Sequence, residues 1–120
     1  REGCDNISTS RERESENVVF RVKSYINDNY AQDISLDDVS RLVDISPYYF
    51  SKLFKQETGE NFIEYLTKVR MKNAEELLKD SSYSIKEICT ASGYGDPNYF
   101  SRIFKKYEGV TPSEYRERLG

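Results

Sequence analysis

The 120 residues carry 18 basic and 21 acidic side chains, two cysteines and no histidine, for a net charge of −3. That length holds one domain, or two very small ones sharing a core, and a hydrophobic content of 37% suffices for an all-helical fold. The composition leaves a zinc site almost no ligands, no apolar run approaches membrane-span length, and no signal-peptide pattern opens the chain.

Residues 1–14, REGCDNISTSRERE, are polar, charged and without apolar period. They read as a linker or leader, as if the chain were a piece of a longer protein. Val18, Val19, Val22, Tyr25 and Ile26 then recur at helical spacing and predict a first amphipathic helix over Glu16–Tyr30. Ser35 followed three residues later by Asp38 is a helix start, opening a short helix Leu36–Val43 that buries Leu36, Val39 and Leu42. Ser46-Pro47 is a second start, an N-cap with proline at the first helical position. That helix runs to about Thr58, carries the apolar stripe Phe50, Leu53 and Phe54, and stops at Gly59 as a left-handed C-cap.

The longest helix spans Asn61–Lys79, with Phe62, Ile63, Leu66, Val69, Ala74, Leu77 and Leu78 in its apolar stripe. Ser84 and Glu87 repeat the serine-plus-acid start for a short helix Ile85–Ala91, ended by Gly93. Asp96-Pro97 repeats the cap-plus-proline start, and the helix to Tyr107 carries Phe100, Ile103 and Phe104 before Gly109 stops it. Thr111-Pro112 opens a last short helix through Arg116. No segment alternates with a period of two, so no sheet is expected.

The second half of this pattern copies the first. Pro47/Pro97, Tyr49/Tyr99, Phe50/Phe100, Ser51/Ser101, Phe54/Phe104, Lys55/Lys105, Gly59/Gly109 and Tyr65/Tyr115 are identical at an offset of fifty. The short helices match at forty-nine, Ser35-Leu36-x-Asp38-Val39 against Ser84-Ile85-x-Glu87-Ile88, so the second turn is one residue longer. One small helical unit is therefore used twice. The charge follows the repeat. Residues 46–72 and 97–120 are each net +2, whereas residues 1–45 and 73–96 are net −4 and −3. Basic patches on the repeated unit are compatible with a polyanion partner despite the acidic total, and imply weak non-specific affinity with a modest salt slope.

A short helix, a tight turn and a second helix with an exposed polar face form a helix-turn-helix arrangement. The stretch Gly93-Tyr94-Gly95-Asp96-Pro97-Asn98-Tyr99-Phe100-Ser101-Arg102-Ile103-Phe104-Lys105-Lys106-Tyr107-Glu108-Gly109-Val110-Thr111-Pro112-Ser113-Glu114-Tyr115-Arg116 meets every defined position of one family signature, and Arg70, Ala74, Leu77 and Leu78 meet its linker-helix pattern. On these residues, about 17–118, the chain resembles the DNA-binding domain of AraC/XylS-type transcription regulators. Tyr25-Ile26-x-Asp28-Asn29-Tyr30 and Ile45–Lys52 shade the resemblance toward YesN-type two-component response regulators. Ser40 and Cys89 stand where the family usually has alanine, and both are small enough to keep the helices close.

The resemblance implies an all-α fold of about seven helices: a leader (1–14), a first helix-turn-helix subdomain (15–60), a linker helix (61–80) and a second subdomain (81–120). It implies double-stranded DNA as partner, each unit placing its second helix in one of two successive major grooves. It further implies RNA polymerase as partner of the full-length regulator, a monomeric isolated domain with dimerisation open for the whole protein, and a cytoplasmic location. Independently of the resemblance, Cys4 in a polar leader and Cys89 on an apolar helix face lie far apart in sequence and read as two unpaired thiols in a reducing cytoplasm. By resemblance, base contacts fall on Tyr48, Ser51 and Lys52 of the first reading helix and on Asn98, Tyr99 and Arg102 of the second. Arg or Lys can donate to guanine, asparagine can bridge adenine, and an aromatic ring can touch a thymine methyl. Lys55, Lys105 and Lys106, further along their helices, suit phosphate. The hydroxyls of Tyr49 and Tyr99 could reach phosphate or cap the core edge. The bland reading of both faces is a solvated helix surface.

Phe50, Phe54, Phe100, Phe104, Tyr94 and Tyr115 read as core, Arg70 and Arg116 as buried pairing groups, and Glu75, Glu76, Asp80 and Glu87 as a solvated acidic face. A helical protein-interaction module is the competing function, disfavoured because it has no reason to repeat Ser-[Lys/Arg]-x-Phe-Lys. No phosphate loop, nucleophile–base spacing or cofactor motif is present, so an enzyme, a cofactor and a metal site are not expected.

Overall fold

The computed structural model describes residues 10–119, with side chains from Ser15 onward. Seven helices follow one another: α1 Ser10–Asn29, α2 Leu36–Leu42, α3 Pro47–Thr58, α4 Phe62–Leu78, α5 Ile85–Ala91, α6 Pro97–Glu108 and α7 Pro112–Leu119. No strand occurs among the described residues, in keeping with the all-α expectation. Helix α1 begins at Ser10, six residues before the expected start. The Arg-Glu-Arg-Glu run at 11–14 has no apolar period, but both residue types are strong intrinsic helix formers. The remainder of the expected leader, including Cys4, lies outside the described residues.

The starts are set by local chemistry. The Ser35 hydroxyl accepts from the Asp38 amide at 3.1 Å while the Asp38 carboxylate accepts from the Ser35 amide at 3.0 Å. Ser84 and Glu87 do the same at 3.0 and 2.8 Å. Asn61 with Glu64 and Thr111 with Glu114 form two further reciprocal caps, at the heads of α4 and α7. Each pair satisfies two amides that a helix start otherwise leaves without a partner. Ser46 and Asp96 cap α3 and α6, each ahead of its proline, and Gly59 and Gly109 close them at φ 84°.

The chain folds into two units. Among the described residues, the first comprises those up to Asp28 with Ile34–Tyr65, and the second comprises Asn29–Asp33 with those from Leu66 onward. In the first, Val22 and Ile26 of α1, Val39 of α2 and Phe50 and Phe54 of α3 are fully buried, with Ile34, Val43, Leu53 and Phe62 closing around them. The Phe50 ring lies 5.4 Å from Phe54 and 6.3 Å from Phe62, and Tyr65 meets Phe54 edge-on at 5.6 Å. In the second, Met71, Ala74, Leu78, Ile88, Cys89, Tyr94, Phe100 and Phe104 form one cluster, flanked by Leu77, Ile85, Ile103 and Tyr115. Tyr115 repeats the place of Tyr65, edge-on to Phe104 at 5.5 Å.

The turns explain why the repeat shifts from forty-nine to fifty. The left-handed residue after the short helix is Asp44 (φ 55°) in the first unit and Gly93 (φ 98°) in the second. In both, the amide two residues after the C-cap returns to the small buried residue of the short helix, Ile45 N–H to Ser40 O at 3.1 Å and Tyr94 N–H to Cys89 O at 3.0 Å. The residue inserted between this point and the next cap is Gly95. Ser40 and Cys89 are both buried, and each turns its polar atom onto the backbone: the Ser40 hydroxyl donates to Asp37 O and the Cys89 thiol to Tyr94 O. Burial pushes the Cys89 thiol up, away from reactivity.

Three expectations need correction. Leu42 is 37% exposed, because α2 ends there and the chain turns inward through Val43 instead. Ile63 is 59% exposed, the buried stripe of α4 running through Phe62, Leu66, Val69, Met71, Ala74 and Leu78. The acidic residues of the second unit are not one solvated face. Glu87 is the cap residue described above, the Asp80 carboxylate accepts from the Ser82 amide and hydroxyl, and Glu75 is half-buried beside Glu108 of α6.

Candidate nucleic-acid interface

Helices α3 and α6 each turn their phenylalanines inward, and the opposite face is what remains for a partner. On α3, Tyr48, Lys52 and Lys55 are exposed and Ser51 is half-buried; on α6, Asn98, Tyr99, Arg102, Lys105 and Lys106 are exposed and Ser101 is half-buried. All nine residues expected to contact DNA therefore lie on the outer side of the helix that bears them. Tyr48 is 76% and Tyr99 46% exposed. Neither is a core residue.

Two of the cations on these faces lie against aromatic rings. Lys52 Nζ lies 5.9 Å from the Tyr48 ring, and the Arg102 guanidinium 5.8 Å from the Tyr99 ring. Such contacts are weak at exposed sites, about 0.5–1 kcal/mol, so they orient the cations without neutralising them. Beside α3 a groove is lined by Ser51, Lys52, Lys55, Gln56 and Asn61. Gln56 was missed from sequence, although the offset of fifty points to it, since its counterpart is Lys106.

Arg70 and Arg116 are structural, as expected, but they pair with backbone rather than with acids. Arg70 donates to Tyr30 O and Gln32 O, both at 2.8 Å, and its guanidinium stacks 5.1 Å from the Tyr94 ring. Arg116 donates to Leu78 O at 3.2 Å and Asp80 O at 3.1 Å. Both fill carbonyls at or just beyond a helix C-terminus, where a cation is also favoured by the helix dipole.

One titration is tied to this scaffold. Burial, and then a hydrogen bond and repulsion from Glu108, raise the Glu75 carboxyl from 4.5 to about 7. A raised carboxyl binds a proton more tightly folded than unfolded, so its contribution to stability is complete below about pH 4.5 and is lost as pH rises through about 7. Asp80 and Glu114 act oppositely. Hydrogen bonds from Ser82 and Thr111 hold them below the usual carboxylate range, so their contribution is lost only as pH falls below it. The melting temperature of the second unit should therefore fall between about pH 5 and pH 8, and Glu75→Gln should flatten that fall. Equal slopes in thermal melts of the two proteins would show that Glu75 does not titrate there.

Among the described residues no three His, Cys, Asp or Glu side chains gather to hold a metal ion, and no helix is long and apolar enough to cross a membrane. What is built is a duplicated helix-turn-helix with a polar, cationic outer face. A family profile described as "Helix-turn-helix domain" matches residues 39–118. The C-terminal domain of AraT, a response regulator from Geobacillus stearothermophilus, is 42% identical and superposes with a TM-score of 0.81 over 84% of each chain. The C-terminal domain of the two-component response regulator yesN from Fusobacterium nucleatum is 35% identical, with a TM-score of 0.80 over 83% of this chain and 98% of that one.

The chain belongs to the AraC-type helix-turn-helix family.

Its members are DNA-binding domains of transcription regulators, and this chain is such a domain. The protein-interaction reading is not favoured. Among AraC-type relatives, the transcriptional regulatory protein YesN of Bacillus subtilis is 50% identical over 78 residues, 63% of this chain. The chain spans 21% of that protein's length and about a third of other curated relatives'.

Proposed function

We propose that this AraC-type domain reads a specific duplex sequence with α3 and α6, one helix in each of two successive major grooves, which on B-form DNA lie about 34 Å apart. The observation that carries the reading is the duplication of the outer face. Ser51/Ser101, Lys52/Arg102 and Lys55/Lys105 recur at one offset and all lie on the outer side of their helices. Each subdomain, 15–60 and 81–120, contributes one reading helix, and residues 61–80 carry the helix that joins them.

Within α6 the roles divide by chemistry. Arg102 offers a planar fork to guanine O6 and N7, Asn98 can bridge adenine, and Tyr99 can lie against a thymine methyl. Within α3, Tyr48, Ser51 and Lys52 take the equivalent places. Lys55, Lys105 and Lys106 serve phosphate and set register rather than sequence. The domain works as part of a longer cytoplasmic regulator that acts on RNA polymerase, commonly as an activator, and the response-regulator relatives support a phospho-accepting partner domain. The role is regulatory and not enzymatic, and the isolated domain is monomeric.

Selection of random duplexes by the purified domain, followed by sequencing, tests this. Two enriched blocks about one helical turn apart are expected. No enrichment at low salt would overturn the reading. With the operator in hand, Arg102→Ala should lose about 1–3 kcal/mol and relax preference at one base position, whereas Lys106→Ala should weaken all sequences alike and flatten the salt slope by about one. A uniform loss in Arg102→Ala would reassign that arginine to phosphate.

A further inference from the structure

In the second unit the reading arginine ends a continuous stack. Arg70 of α4 lies over the Tyr94 ring at 5.1 Å, Tyr94 lies 5.9 Å from Tyr99, and Tyr99 carries Arg102 at 5.8 Å. The inner end is fixed twice, by the hydrogen bonds from Arg70 to Tyr30 O and Gln32 O and by the packing of Tyr94 against Phe100 at 5.6 Å. Tyr94 is buried and Tyr99 half-open, so the stack runs from the core to the DNA-facing surface.

We propose that Tyr99, backed by Tyr94 and Arg70, is a specificity-determining positioning residue that holds the Arg102 guanidinium ready for guanine before DNA arrives. The inference rests on the DNA reading above and deepens it. An arginine on a free surface helix has several rotamers to surrender on binding, and a ring under one face of the guanidinium narrows them while leaving its N–H edge open. A bidentate contact needs that edge in one plane, which is where the gain in discrimination arises.

Among the described residues the first unit has no such device. Ile45 stands where the second unit has Tyr94, and Lys52 rests on Tyr48, a ring 76% exposed. Lys52 is also a point charge without a planar fork. Base discrimination is therefore concentrated in α6, while α3 tolerates more varied sequence.

The test compares Tyr99→Leu and Tyr99→Phe in the 120-residue protein, using the selected operator and its single-base variants, with melting temperature and salt slope measured alongside. Tyr99→Leu should lose about twofold to fivefold in discrimination at the one position that Arg102→Ala relaxes, with fold and salt slope unchanged. Tyr99→Phe should keep it. In an Arg102→Ala background Tyr99→Leu should have no further effect there. A loss only at a different base position, with none at the Arg102 position, would confine Tyr99 to its thymine contact, and a uniform loss in Tyr99→Phe would make its hydroxyl a phosphate contact. Either result, or unaltered discrimination in Tyr99→Leu, overturns the proposal while leaving the DNA reading intact. Failure of the wild-type domain to select any sequence overturns both.

Discussion

Phe104→Ala should destabilise the second unit by about 3–5 kcal/mol, the usual range for emptying a fully buried phenylalanine site. Phe104 has no exposed surface, packs at a tilt 6.0 Å from Phe100 and receives the Tyr115 ring edge-on at 5.5 Å. It therefore joins α6 to α7 within the cluster that also holds Met71, Ala74, Leu78 and Ile88. None of these neighbours can fill the space without giving up its own contacts, so most of the cavity persists. Small domains have about 5–15 kcal/mol in total, so the variant should be close to unfolding at 25 °C. Denaturant titration followed by helical circular dichroism would show it. A loss below about 1 kcal/mol would mean that the site collapses freely, contrary to the packing described. Ile103→Ala, one position earlier but only half-buried, should cost distinctly less.

Gly93→Ala should cost about 2–4 kcal/mol, from two effects that add. The residue sits at φ 98°, where a side chain is strained. A β-carbon there would also lie 2.8 Å from the Tyr30 carbonyl oxygen and 2.9 Å from Arg70 Nε. The first neighbour is backbone and the second is pinned by two hydrogen bonds, so neither can yield without breaking the clamp. Gly59→Ala and Gly109→Ala are the control. Both have φ 84° but open space around the missing β-carbon, so they should carry the conformational term alone, about 1–2 kcal/mol. Thermal melts of the three variants separate the terms, and three equal losses would remove the close approach at Gly93 from the account. The turn of the first unit places Asp44 at the corresponding point, with φ 55°, a residue type that tolerates this region. Only the second turn therefore demands glycine.

Much of the fold was legible because its signals are local. Ser35 with Asp38, Ser46 before Pro47, Ser84 with Glu87 and Gly59 and Gly109 at φ 84° each act within one helical turn, and each was placed correctly. The four phenylalanines at the centres of the cores were equally readable, since their spacing puts them on one face of α3 and α6. The start of α1 at Ser10 was misread because a charged helix has no apolar period to betray it. The outer faces of α3 and α6 follow as the complement of the buried stripe, and all nine residues proposed to contact DNA lie on them.

By itself, then, the sequence determined the helices, their caps, the duplication and the family, all of which rest on interactions within a few residues or on the repeat. Tertiary structure alone decided the partners that lie thirty to forty residues apart. Arg70 was readable as a pairing group, but not that its acceptors are the carbonyls of Tyr30 and Gln32, nor that Arg116 takes those of Leu78 and Asp80. Nor could spacing show that Glu75 meets Glu108, or that Tyr94 and Tyr99 carry a stack from Arg70 to Arg102. Periodicity assigns a residue to a face of its own helix. Which residue it meets is fixed by how the helices within each unit pack, and that depends on the shapes of both surfaces at once.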